Sequence, residues 1–176
     1  MKMKTSVLAL LTGMALSGCT PHQTSSSSPA VQPLAQAAQS DSIVKRQLAY
    51  GLYEMALTPG GDALYVASAE SFKDVQGGVV YKLDAKTLKT LGTTHTDLKN
   101  FAMQAAANGK TLYVSNSLDG GISAIGAADG KVKGRLLFSE RNEKGLPYGA
   151  RQILAHDNTL YVGAVADPAQ IWVVDA

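Results

Sequence analysis

Thr111-Leu112-Tyr113-Val114-Ser115-Asn116 is the stretch that decides the fold, because it is one of three versions of a single phrase. Ala63-Leu64-Tyr65-Val66-Ala67-Ser68 precedes it and Thr159-Leu160-Tyr161-Val162-Gly163-Ala164 follows it. The three tyrosines stand 48 residues apart, and the same offset aligns residues 53–68 with 101–116 and 149–164 without a gap. A fixed period of this size marks a repeat architecture in which each unit buries its faces only against its neighbours.

Working outward from the tyrosines, each copy opens on a short, mostly apolar run: Met55-Ala56-Leu57, Met103-Gln104-Ala105 and Arg151-Gln152-Ile153-Leu154. A turn follows, at Pro59-Gly60-Gly61-Asp62, Asn108-Gly109-Lys110 and His156-Asp157-Asn158. These residue types pre-set a turn or tolerate positive φ, so run, turn and Leu-Tyr-Val strand read as a hairpin. A third strand comes after a loop of variable length, at Val79–Leu83, Ile122–Ile125 and Ile171–Val174. A fourth is expected twice, near Lys89–Thr93 and at Val132–Phe138, the second preceded by the turn Ala127-Ala128-Asp129-Gly130. Outside the N-terminal segment no stretch carries a 3.6-residue apolar stripe.

Four strands in about 48 residues describe a β-propeller blade. A β-sandwich with chance similarity would not place three gapless matches at one offset. The expected fold is therefore all-β, a partial propeller of about 2.75 four-stranded blades by this strand count. The blades fall near residues 50–94, 98–138 and 147–176. Ile43–Ala49 reads as an extra strand, of the kind that completes the last blade of a closed ring. The chain stops part-way through the third copy, so it is expected to be a piece of a longer propeller. Stacked blades without neighbours leave apolar faces in water, which predicts self-association.

Residues 1–18 precede the folded part. Lys2 and Lys4 form a positive start, Val7–Ala15 is apolar but for Thr12 and Gly13, and the run is too short to span a bilayer. This is the pattern of a secretory signal peptide. Leu16-Ser17-Gly18-Cys19 resembles the bacterial lipobox, which implies cleavage before Cys19 and acylation of that residue. Cys19 is the single cysteine, so no intramolecular disulfide staples the domain. Several acyl chains on one residue anchor stably. Thr20 in the next position, in place of Asp, implies sorting to an outer membrane facing the periplasm. Residues 20–42 hold Ser25-Ser26-Ser27-Ser28, three prolines and one charge, Asp41, and read as a flexible tether reaching roughly 25 Å. The formal charge of +2 loses Lys2 and Lys4 with the signal, which leaves 14 basic and 14 acidic residues. A neutral chain offers no global cationic face for nucleic acid, which disfavours that partner. Lys131, Lys133 and Arg135 alternate as the solvated face of one strand would.

The wording around the tyrosines resembles the YVTN repeat, the middle copy most closely. Tyr53-Glu54-Met55-Ala56, Gly77-Gly78-Val79-Val80-Tyr81-Lys82-Leu83-Asp84, Val132-Lys133-Gly134-Arg135-Leu136 and Ile171-Trp172-Val173-Val174-Asp175 resemble the YncE-like bacterial proteins. That family comprises secreted, periplasmic, seven-bladed propellers, so the resemblance, over about residues 50–176, implies the first part of such a ring. The lipobox departs from a soluble family member. DNA binding is associated with the family, yet no nucleic-acid residue of it matches a position here. The family is not an established enzyme family.

No catalytic constellation stands out. His22 lies in the tether, and His95 and His156 fall in expected loops at non-equivalent repeat positions, without metal-ligand spacing. No Gly-x-Ser-x-Gly elbow occurs. The pairs Gly60-Gly61, Gly77-Gly78 and Gly120-Gly121 read as turns, and Asp119-Gly120-Gly121 lacks the alternating acids of an EF-hand loop. No metal or cofactor is therefore expected. Propellers bind at the channel mouth, where inner strands start, which singles out Tyr53, Glu54, Phe101, Gln104, Arg151 and Gln152. The loop Glu70–Gln76 is the longest of its kind, and Trp172 is expected in the core between blades. Three functions stay open at this level. One is an envelope-tethered, non-catalytic binding or scaffold propeller for a protein, peptide or cell-wall ligand. The second is a lactonase-like or quinoprotein-like enzyme completed by further blades. The third is a DNA binder.

Overall fold

The computed structural model describes residues 43–73 and 75–176. Residues 1–42 lie outside it, and with them the expected signal peptide, Cys19, the tether and His22. The described residues are all-β, built as three antiparallel sheets in sequence order. The first comprises β1 (Leu52–Leu57), β2 (Ala63–Ser68), β3 (Gly78–Asp84) and β4 (Thr90–Thr96). The second comprises β5 (Met103–Ala105), β6 (Thr111–Asn116), β7 (Gly121–Gly126) and β8 (Val132–Leu137), and the third β9 (Gly149–His156), β10 (Thr159–Val165) and β11 (Ile171–Asp175). Each sheet is a simple up-and-down meander. The sheets do not close a ring, as a partial propeller requires.

The repeat phrase sets which side of each sheet meets which neighbour. Side chains alternate along a strand, so Leu and Tyr of Leu-Tyr-Val point to opposite faces. Tyr65 shares its face with Ala56 across the β1–β2 ladder and packs with Ala67 and Val80. These residues meet Met103, Leu112, Val114 and Ile125 of the second sheet. One period later, Tyr113 and Ile122 meet Ala150, Leu160 and Val162 of the third, with Ile153, Ala155, Trp172 and Val174 alongside. The leucine of each phrase thus faces backward and the tyrosine forward. Fully burying one such aliphatic side chain contributes about 1.5–3 kcal/mol, which makes these seams the source of stability.

Polar contacts fix the register between sheets. Tyr65 donates its hydroxyl to the Ala127 carbonyl at 3.1 Å. Arg135 on β8 reaches back to Asp97, just past β4, with a nitrogen–oxygen distance of 2.6 Å. At the second seam Trp172 stacks flat on Phe138, centroids 3.9 Å apart, while its Nε1 donates to Glu140 at 2.9 Å. Trp172 therefore belongs to the core between blades, half-buried, with its polar edge satisfied.

Local turns follow residue chemistry. Asp84 accepts from the Thr87 amide and hydroxyl, both at 2.7 Å, and holds the β3–β4 turn. Gly77 takes φ +74° where the β2–β3 loop returns against β4, and a Cβ there would collide with the Thr96 carbonyl. The third hairpin is tighter than the others, because β9 runs on to His156 and pairs it with Thr159. The period survives because residues spent on loop in the first two copies are spent on strand in the third.

Three expectations change. Ile43–Ala49 forms no strand. A strand exists only within a ladder, and these residues pair with none of the described strands; Arg46 instead donates to the Leu88 carbonyl. His95 lies on β4 and His156 ends β9, so neither is a loop histidine. Lys133 and Arg135 lie on the exposed β8 as expected, yet both are paired, Lys133 with Asp129 at 2.6 Å.

Candidate functional site

The innermost strand β5 adjoins β1 on one side and β9 on the other, which brings the starts of the three repeats close. Tyr53 enters from the first. It sits where the β1–β2 register slips between Leu52 and Met55, a bulge that re-aims the side chain. Phe101 enters from the second, just ahead of β5. Its amide donates to the Ser115 carbonyl at 3.0 Å, and only 4% of the residue is exposed. Arg151 enters from β9.

These three side chains converge. The rings of Tyr53 and Phe101 lie 4.7 Å apart at 60°. The Arg151 guanidinium carbon stands 4.9 Å from the Tyr53 centroid and 5.3 Å from that of Phe101. Each such cation–ring contact contributes about 0.5–1 kcal/mol at an exposed site and more when water is excluded. Phe72, from the β2–β3 loop, extends the cluster at 6.3 Å from Phe101. Lys99 lies 5.4 Å over Phe72 and holds that loop by donating to the Ser71 and Val75 carbonyls at 2.7 and 2.6 Å.

The backbone under Arg151 is pinned by two serines. Ser115 donates its hydroxyl to the Arg151 carbonyl at 3.0 Å, and Ser117 donates to the Ala150 carbonyl at 2.5 Å. Both stand at or just beyond the end of β6. Buried hydroxyls of this kind hold a neighbouring strand at fixed register, which places the guanidinium reproducibly. The ion pairs among the described residues are Lys133–Asp129, Arg135–Asp97 and His156–Asp157. Arg151 takes part in none of them, so its charge meets rings and not carboxylates.

A cleft of about 550 Å³ opens beside the cluster, lined by Phe101, Ser117, Leu118, Leu146, Pro147, Gly149, Arg151 and Val165. The repeat explains why it is there. Tyr53, Phe101 and Gly149 are equivalent positions, as are Met55, Met103 and Arg151. The third copy thus replaces an aromatic ring by glycine and a methionine by arginine. Both departures line the same cleft.

Among the residues singled out by position, Tyr53, Phe101 and Arg151 come together. Glu54 and Gln152 are exposed, and Gln104 is half-buried opposite Tyr113 on β5. Phe72, Lys99, Ser115 and Ser117 were not singled out. The signal for Phe72 was its place in the longest loop, and for the serines the polar ending of Tyr113-Val114-Ser115-Asn116-Ser117. Among the described residues no group of three or more His, Cys, Asp or Glu is placed to hold a metal ion.

Burial and the hydrogen bond to Glu70, at 2.8 Å, push Tyr81 up to about 12. The Arg135 hydrogen bond holds Asp97 below the usual carboxylate range, and burial raises Asp119.

No family model matches the chain. Among solved structures, hydrazine synthase of Kuenenia stuttgartiensis superposes with a TM-score of 0.59 at 18% identity, over 75% of this chain and 34% of that one. The Dos1 propeller superposes at 0.54 and 16% identity, over 69% and 30%. At that identity the likeness is one of fold. The uncharacterized protein YncE of Escherichia coli K12 is 36% identical over 139 residues, which cover 77% of this chain. The match spans 39% of the length of that relative. With its meander sheets and its likeness to propellers of known structure, the chain belongs to the YncE-like family of β-propellers.

Proposed function

We propose that this chain is a non-catalytic binding propeller of the bacterial cell envelope, and that its ligand is held at the Tyr53–Phe101–Arg151 cluster. The observation that carries the reading is the break in the repeat. Two positions of the third copy depart from the pattern of the first two, and both border one cleft beside an arginine that pairs with no carboxylate among the described residues. Packing alone asks for the opposite, the same apolar residue in every copy. The chemistry also fits binding over proton transfer. An arginine stays protonated and has no base to offer, while aromatic faces and a fixed fork of donors suit recognition.

In this reading the chain is secreted by residues 1–18, lipidated at Cys19 and held by residues 20–42 at the outer membrane, facing the periplasm. The partner is a protein, a peptide or a cell-wall component. Labelled palmitate is incorporated by the parent chain and lost in Cys19→Ala; equal labelling of both removes the anchor. For the site, a photoreactive benzoylphenylalanine replaces the exposed Leu146 in the full chain in cells. A discrete adduct that disappears with Arg151→Gln is expected. Absence of any adduct dependent on Arg151 overturns the site.

A further inference from the structure

We propose that the cleft beside Arg151 takes the free carboxyl end of a peptide whose last residue is apolar. The inference rests on the binding reading above and names the chemistry of the ligand. Arg151 is the single charged residue lining the cleft; the other linings are apolar apart from the Ser117 hydroxyl and the backbone at Gly149. One guanidinium matches one carboxylate through two parallel hydrogen bonds. A phosphate carrying close to two charges calls for more than one cation, and the lining supplies no second one. With its central carbon 4.9 and 5.3 Å from the Tyr53 and Phe101 centroids and in no ion pair among the described residues, the guanidinium keeps N–H groups for a ligand.

The remainder of the cleft suits a single apolar side chain. Leu118, Leu146 and Val165 stand 56%, 57% and 64% exposed around it, an unusual outlay of apolar surface in one place. Gly149 lines it without a side chain where the first two copies carry a ring, and the buried Phe101 lines it too. A long acyl chain calls for an enclosed channel. This bowl opens to solvent along three exposed side chains and matches the last residue of a peptide better than a fatty acid.

The test is a fluorescence-anisotropy titration of the full chain with a labelled tetrapeptide ending in leucine, as the free acid and as the amide. Decanoate serves as competitor. The acid is expected to bind at least about tenfold more tightly than the amide, the difference that one charge-assisted pair supplies. Arg151→Gln and Leu146→Asp are each expected to weaken the acid by at least about tenfold. Leu146 is exposed, so its variant leaves the melting temperature unchanged and tests the cleft independently of folding. Equal binding of acid and amide, or full affinity in Arg151→Gln, overturns the proposal, as does decanoate that binds more tightly than the peptide. If acid and amide bind alike while the Arg151-dependent photo-adduct forms, the ligand class alone falls. If that adduct is absent as well, the binding reading falls with it.

Discussion

Tyr65 and Tyr161 hold the same place in the repeat and live in opposite surroundings. Tyr65 is 4% exposed, pressed onto the second sheet with its hydroxyl on Ala127; Tyr161 is 41% exposed. The neighbours of Tyr161 share its fate. Leu154 and Val173, its partners across the ladders, stand 59% and 66% exposed. The residues are the same kind in both places, so the difference lies in the presence of a following sheet. A blade's forward face is therefore written for a partner, and its stabilisation is realised only where one is packed against it.

This contrast can be broken or sharpened by experiment. The largest effect concerns the third sheet's forward face. Residues 1–176 on their own are expected to self-associate through it, and the paired substitution Leu154→Lys and Val173→Lys should yield monomers in sedimentation velocity. A parent chain that sediments as one monomeric species over a tenfold concentration range would contradict the idea. Next comes the seam between the second and third sheets. Leu160 is 2% exposed, and Leu160→Ala should cost about 2–5 kcal/mol in urea unfolding. Leu64, its equivalent on the outer face of the first sheet, is half-exposed, and Leu64→Ala should cost less than half of that. Equal costs would mean that the seams are not where stability resides.

Smaller effects separate packing from hydrogen bonding. Tyr65→Phe removes the bond to Ala127 and should cost about 0.5–1.5 kcal/mol, whereas Tyr161→Phe should be silent in the same assay. Within the first sheet, away from the seam, Tyr81 titrates late because burial and Glu70 favour its neutral form. Its contribution is complete below about pH 10, the ordinary tyrosine value, and fades as pH rises toward about 12. Alkaline unfolding followed by ultraviolet absorbance should lose that dependence in Tyr81→Phe. The smallest effect belongs to Asp97, which binds Arg135 across the first seam but is mostly exposed. Its lowered titration point means that the contribution is present above the usual aspartate value and is lost as pH falls through the folded one. Asp97→Asn should cost under about 1 kcal/mol and be insensitive to added salt where the parent is not.

Much of the fold was legible because blades obey local rules. The period-2 alternation of Leu-Tyr-Val, the turn residues at Pro59–Asp62 and Asn108–Lys110, and the 48-residue offset are contained in short windows. Ile43–Ala49 misled because its composition suits a strand and composition does not supply a ladder partner. His95 was read as loop, yet β4 extends to Thr96, where the Thr96 hydroxyl bonds the Gly78 and Leu98 carbonyls. The bond to Gly78 joins residues 18 apart in sequence, so no local pattern announces it. The site was half legible. Position in the repeat pointed to Tyr53, Phe101 and Arg151, but also, with equal force, to Glu54, Gln104 and Gln152. Period cannot separate them, since the bulge at Tyr53 depends on pairing with β2 and the serine clamps on β9 depend on the neighbouring sheet.

The sequence by itself determined the repeat and the strand alternation. These follow from backbone geometry and side-chain spacing, which act over a few residues. Only the tertiary structure decided which tyrosines are buried, where the third repeat's glycine and arginine come to lie, and that Arg151 rests beside two rings. Those outcomes depend on contacts between residues about 50–100 positions apart, and such contacts exist only once the sheets have packed.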